Sequence, residues 1–131
     1  MKQQQTKESP FNQHLWDGKT PDKTAELAWA AGFFDGEGWI GVRQSGDRWY
    51  PRMSVSQCDR RTLLRFKQAI QGGKVIGPYF STKHKPVHMW RCNCKAECLR
   101  IAESLWPFLS YQKRDQVLRA YSKIAAVGVT T

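Results

Sequence analysis

The apolar positions of this chain change period several times, and each change predicts an element. Leu27, Ala30, Ala31 and Phe34 recur at helical spacing. A start signal stands before them at Thr20-Pro21-Asp22: a capping hydroxyl, a proline for the first turn and an early acid. The helix is expected to run to about Phe34 and to end at Gly36 and Gly38. The period then falls to two over Trp39–Gln44 and Arg48–Gln57, with Ser45-Gly46-Asp47 as the turn of a hairpin. Asp59 can cap a helix over Arg60–Ile70, whose apolar face is Leu63, Leu64, Phe66 and Ile70, and Gly72-Gly73 breaks it. Lys74–Phe80 and Val87–Cys94 read as a second hairpin around Lys83-His84-Lys85. Cys98–Leu105 is helical, Pro107 interrupts, and a last helix covers about Gln112–Ala126.

This order, αββαββα, predicts an α+β fold with one four-stranded antiparallel sheet. One sheet face packs on the helices and the other is free for a partner. Residues 1–19 are polar and form an expected flexible N-terminal arm, followed by a single domain over residues 20–131.

Strand alternation assigns the sides. Ile40, Val42, Met53 and Val55 face the helices. Gly41, Arg43, Ser45, Tyr50, Arg52 and Ser54 face outward. In the fourth strand His88, Trp90 and Cys92 point in and Met89 and Arg91 point out. The third strand carries apolar residues on both parities, so its faces stay open.

Composition sharpens the nature of the partner. Across 131 residues, 21 Lys and Arg stand against 11 Asp and Glu, a formal net charge of +10. From Arg60 to Ala96 there is no acid at all. Such an imbalance predicts a polyanion, with nucleic acid first and an anionic membrane surface second. Six Trp, six Phe and four Tyr supply a core. No apolar run approaches the ~18 residues of a membrane span. The start MKQQQTKESP has no apolar segment behind its basic residues, so it does not read as a secretory signal. An intracellular setting, cytoplasmic, nucleoid or organellar, is therefore expected, with Cys58, Cys92, Cys94 and Cys98 as thiols.

One stretch breaks a local rule. In AAGFFDGEG, residues 30–38, two acids follow an apolar helix. A helix C-terminus carries partial negative charge and disfavours carboxylates. Rule-breaking of this kind tends to mark function. The flanking glycines let a phosphate or another backbone approach. A hard divalent cation, Mg2+ or Mn2+, would resolve the charge conflict, since it takes carboxylate oxygen and substrate phosphate together. In a basic protein that pairing points to phosphodiester hydrolysis.

The same residues resemble the LAGLIDADG motif, and the chain is similar to the single-motif LAGLIDADG homing endonucleases over about residues 20–126. Ala31, Gly32, Asp35 and Gly38 match position by position. Phe33 and Phe34 replace two aliphatics, Gly36 replaces alanine, and Glu37 replaces the second aspartate with a longer carboxylate. The resemblance implies a homing-endonuclease-like fold whose sheet forms a DNA-binding saddle. It implies that Ala28, Ala31, Gly32 and Asp35 shape a homodimer interface. Glu37, with Gly36 beside it, would bind the catalytic metal. Gln57 and Arg61, four residues apart, would organise water around it. Lys113 would stabilise phosphate charge, with Gln112 or Arg114 as neighbours able to take the same part. Arg43, Ser45, Arg48, Tyr50, Arg52, Ser54, Lys83, Lys85 and Arg91 would meet double-stranded DNA. With one motif per chain, a double-strand cut calls for two chains and a pseudo-palindromic target.

Two other functions remain open on the sequence. One is a non-cleaving DNA- or RNA-binding protein of this fold, such as an intron splicing helper or regulator. The other is a zinc-stabilised nucleic-acid adaptor built on His84, His88, Cys92, Cys94 and Cys98.

Overall fold

The computed structural model describes residues 22–128; the predicted arm and Thr20 lie outside them. Among the described residues, four helices and four strands follow in the order α1 Lys23–Glu37, β1 Gly38–Ser45, β2 Arg48–Gln57, α2 Arg60–Ile70, β3 Lys74–Tyr79, β4 Val87–Cys92, α3 Lys95–Leu105 and α4 Tyr111–Val127, with a 3-10 turn at Trp106–Phe108 between the last two. The sheet is antiparallel in the order β1-β2-β4-β3. This is the predicted α+β arrangement, and the predicted last helix is α4, which packs along β1.

The element ends differ from the pattern-based expectation for physical reasons. Asp22 caps α1, its carboxylate accepting from the Ala25 N–H at 3.1 Å. The helix does not stop at Phe34. It carries Asp35, Gly36 and Glu37 in its last turn and passes into β1 at Gly38 with no loop between them. α3 begins at Lys95, three residues before the first apolar position that announces it, and β4 accordingly ends at Cys92.

The core lies between the inner sheet face and the helices. Phe34 and Phe66 rings stack at 6.3 Å between centroids, and Phe66 meets Trp90 edge-on at 4.9 Å. The Trp90 indole N–H donates to the Gly72 carbonyl at 2.9 Å, so its polar atom is satisfied inside the core. The third strand is resolved by its register. Val75 pairs with Trp90 on the inner face, while Lys74 and Ile76 stand opposite Arg91 and Met89 on the outer one.

Ala31 is fully buried in this core. Its side chain is thus packed within its own chain, and the exposed positions of α1 include Gly32 and Gly36. α1 is also locked to α2. Arg65 grips Glu26 with two hydrogen bonds of 3.1 and 2.8 Å and lies 3.8 Å over the Trp29 ring. That hydrogen-bonded pairing holds the Glu26 carboxyl below its ordinary range. Arg65→Ala removes a forked ion pair and a cation–π contact at a partly exposed site, and is expected to cost about 1–2 kcal/mol in urea unfolding.

Candidate nuclease site

The end of α1 collects most of the residues that the sequence singles out. Glu37 is exposed, and the Gln57 amide, at the far end of β2, donates to its Oε1 at 3.5 Å. These two groups lie 20 positions apart in the chain and meet because Gly38 pairs with Val55. Gly36 is also exposed, and a Cβ built on it would meet nothing within 4 Å.

Gly38 is required by packing. The Phe34 ring occupies the place where a Cβ would stand. Gly38→Ala therefore pushes a core ring out of position, and overpacking of this kind costs roughly 1–3 kcal/mol. Chemical denaturation should show this loss, and Glu37, the preceding residue, moves with it.

Asp35, half-buried, is engaged within its own chain. Its carboxylate accepts the Ser110 N–H at 3.1–3.2 Å and the Ser110 hydroxyl at 3.1 Å. Ser110 in turn caps α4, its Oγ accepting the Lys113 N–H at 3.2 Å. Asp35 thus fastens the end of one helix to the start of another, which explains how a carboxylate is tolerated in the last turn of α1.

Lys113 is the buried cation of the site, 6% exposed. Its ammonium donates to the Gly38 carbonyl at 2.9 Å and to Gln116 Oε1 at 2.8 Å, and lies 5.4 Å from the centre of the Phe34 ring. Burial lowers its pKa, and the Asp35 carboxylate opposes that shift. Its neighbours are differently engaged. Gln112 is exposed, and Arg114 donates to the Trp106 and Pro107 carbonyls at 3.1 Å each. Of the three positions, only Lys113 reaches the end of α1.

Arg61 is not brought to Glu37. Its side chain is 90% exposed and paired with Asp59 at 3.2 Å, at the start of α2.

The outer sheet face has the sign expected of a DNA surface. The four strands contain no carboxylate. Register aligns Trp39, Ser54, Arg91 and Lys74 in one row across all four strands, with Gly41 opposite Arg52, Arg43 opposite Tyr50 and Ser45 opposite Arg48. Arg52 is held by Asn93 at 3.0 Å and lies 5.6 Å over Tyr50. Lys83 and Lys85 are exposed between β3 and β4. Sequence reasoning passes over Trp39, Asn93, Ser110 and Gln116. Strand parity signals Trp39, and the i,i+3 spacing to Lys113 signals Gln116; no local pattern announces the other two.

The zinc arrangement does not assemble. Among the described residues no three His, Cys, Asp or Glu side chains converge as metal ligands. His84 is exposed in the β3–β4 connection. Cys92 is buried 3.6 Å from Cys98, and that thiol, together with burial, pushes the Cys92 pKa up, away from the thiolate a metal would need.

No protein-family model and no curated protein sequence matches the chain. Solved structures do. The homing endonuclease I-CvuI, in complex with the I-CreI target in Mg2+ with its DNA not cleaved, superposes with a TM-score of 0.62 at 18% identity, over 76% of this chain and 66% of that one. The archaeal intron-encoded homing endonuclease I-Vdi141I, complexed with DNA, gives 0.56 at 16% identity over 73% and 65%. The LAGLIDADG meganuclease I-AabMI, bound to uncleaved DNA, gives 0.54 at 24% identity over 66% and 32%. The chain thus spans slightly less than two thirds of the first two and about a third of the last. It has the fold of the LAGLIDADG homing endonucleases.

Proposed function

We propose that this chain is a site-specific DNA endonuclease of the LAGLIDADG type, dependent on a divalent metal and active as a homodimer on a near-palindromic duplex. The observation that carries this reading is the end of α1. An exposed carboxylate, Glu37, accepts there from the Gln57 amide, and the buried Lys113 ammonium holds the carbonyl of the next residue, Gly38, at the edge of a sheet with no acid on its strands. A DNA substrate also sets its work in a compartment that contains DNA.

The donor set fits Mg2+ or Mn2+. A hard ion takes one or two carboxylates and completes its shell with water and substrate phosphate. Glu37 offers such a carboxylate, and Gly36 leaves open space beside it for a phosphate. The bound ion supplies Lewis-acid stabilisation of the charge that builds on the phosphodiester. Gln57 orients the Glu37 carboxylate through its amide. Lys113 ties down the Gly38 carbonyl and so fixes the angle of the helix end, and it adds a positive charge near the phosphate. Arg61, exposed and paired with Asp59, would have to leave that carboxylate to bind a phosphate.

Dimerisation rests on the open side of α1. Ala28, Gly32 and Gly36 fall four residues apart, and a Cβ at Gly32 or Gly36 would meet nothing within 4 Å. A second helix could approach closely there, bringing two Glu37 carboxylates near one two-fold axis for the two strands. Gly32→Leu projects into that space without touching the chain's own core. It is expected to convert dimer to monomer in sedimentation while the monomer keeps a cooperative unfolding transition, since leucine is the better helix former by roughly 1 kcal/mol.

The test of function is incubation of the purified chain with plasmids carrying randomised inserts in Mg2+, followed by sequencing of new ends. Paired, staggered ends within a near-palindrome support the endonuclease. Specific retention of DNA without new ends supports the non-cleaving reading instead.

A further inference from the structure

The outer face of β1 carries an arrangement that the cleavage chemistry does not use. Trp39, Gly41 and Arg43 stand at alternate positions, all on the same side. Trp39 is 38% exposed, a large apolar surface on a face that also carries Arg43, Arg52, Arg91 and Lys74. Its indole lies across Gly41: the six-membered ring, at Cη2 and Cζ2, occupies the place a Cβ would take. The Arg43 guanidinium lies over that indole, 4.4 Å from the ring centre. Among the described residues no protein acceptor takes a hydrogen bond from Arg43, although Arg52, Arg61, Arg65, Arg100 and Arg114 are each engaged by one.

The physics of this triplet is specific. A guanidinium over a ring is attracted through its flat face and keeps its N–H donors in plane and free. An exposed arginine carries about 2 kcal/mol of rotamer entropy that binding must otherwise remove. Holding the side chain beforehand lowers that cost and narrows the positions its donors can reach. In a major groove, two parallel arginine donors match guanine O6 and N7. Gly41 is part of the device, since any side chain there displaces the indole.

We propose that Trp39 is a positioning residue for base recognition: across Gly41 it fixes Arg43 as a reader of one guanine in each half-site. This rests on the DNA-binding part of the function proposed above. It predicts that Trp39 acts on DNA through Arg43 and not through its own contact with the duplex.

The experiment is selection of bound duplexes from a randomised pool with Ca2+ present, at fixed salt, followed by sequencing. Wild type is run beside Trp39→Ala, Gly41→Ala, Arg43→Ala and the Trp39/Arg43 double variant, each first checked for a cooperative unfolding transition. In the expected result Arg43→Ala erases a guanine preference at one symmetric pair of positions. Trp39→Ala and Gly41→Ala weaken the preference at that same pair by roughly three- to tenfold and leave the others unchanged. The double variant matches Arg43→Ala alone. If Trp39→Ala leaves that position untouched, or lowers all positions evenly, the inference is overturned while sequence-specific binding stands. If wild type enriches no sequence, the proposed function falls, and the inference with it.

Discussion

Glu37→Gln is expected to lower DNA cleavage by at least about 10³-fold, because metal-ion catalysis is worth several kcal/mol and each 1.36 kcal/mol is a factor of ten. The substitution is close to isosteric. The new amide oxygen can still accept from Gln57, and the side chain is exposed, so folding is not the route of the loss. DNA binding should persist or tighten, since a negative charge is removed from a surface that meets phosphates. Single-turnover cleavage and filter binding on a selected duplex check both halves. Undiminished cutting would remove Glu37 from the role assigned to it.

Lys113→Met carries the second large effect. Methionine fills the same slot but leaves the Gly38 carbonyl and Gln116 without their donor, and it removes the positive charge from the end of α1. Cleavage is expected to fall about 10²-fold, in line with loss of one charge-stabilising donor. The pH dependence separates charge from structure. Burial puts the folded-state pKa of Lys113 below its unfolded value of about 10.4. Between those two values the unfolded chain binds the proton more than the folded chain does. The Lys113 contribution to stability therefore rises with pH across that window. Activity should instead fall there as the ammonium deprotonates. The difference in unfolding free energy between wild type and Lys113→Met, followed across alkaline pH, should thus move opposite to the wild-type rate. A parallel decline of both would point to alkaline unfolding and against the charge role.

Legibility in the sequence followed the range of the forces involved. The hairpin at Ser45-Gly46-Asp47 and the capped helix after Asp59 were readable because turn chemistry and capping are local. The pairing of Glu37 with Gln57 was not local, and it was reached only through the resemblance of the motif and its spacing to a family. The extension of α1 past Phe34 was hidden. Glycine in a helix signals a stop, yet here Asp35 is satisfied by Ser110, 75 positions away, and Gly38 is demanded by the Phe34 ring. The burial of Ala31 in its own chain's core is not legible either. Small size suits both a tight interface and a tight core, and composition alone does not separate them. Among Gln112, Lys113 and Arg114, the one brought to the end of α1 depends on one turn of geometry, since α4 starts at Tyr111 and so aims the third residue of its first turn at the Gly38 carbonyl.

The central claim is that the end of α1 holds a metal against the scissile phosphate. The most direct measurement replaces a non-bridging oxygen of that phosphate with sulfur in a selected target, one stereoisomer at a time, and compares single-turnover cleavage in Mg2+ and Mn2+. Sulfur is a poor ligand for Mg2+ and a better one for the softer Mn2+. The account predicts that one isomer is cut far more slowly in Mg2+, that Mn2+ restores it, and that Glu37→Gln abolishes the restoration. Equal cutting of both isomers in Mg2+, or a loss that Mn2+ does not relieve, would contradict it.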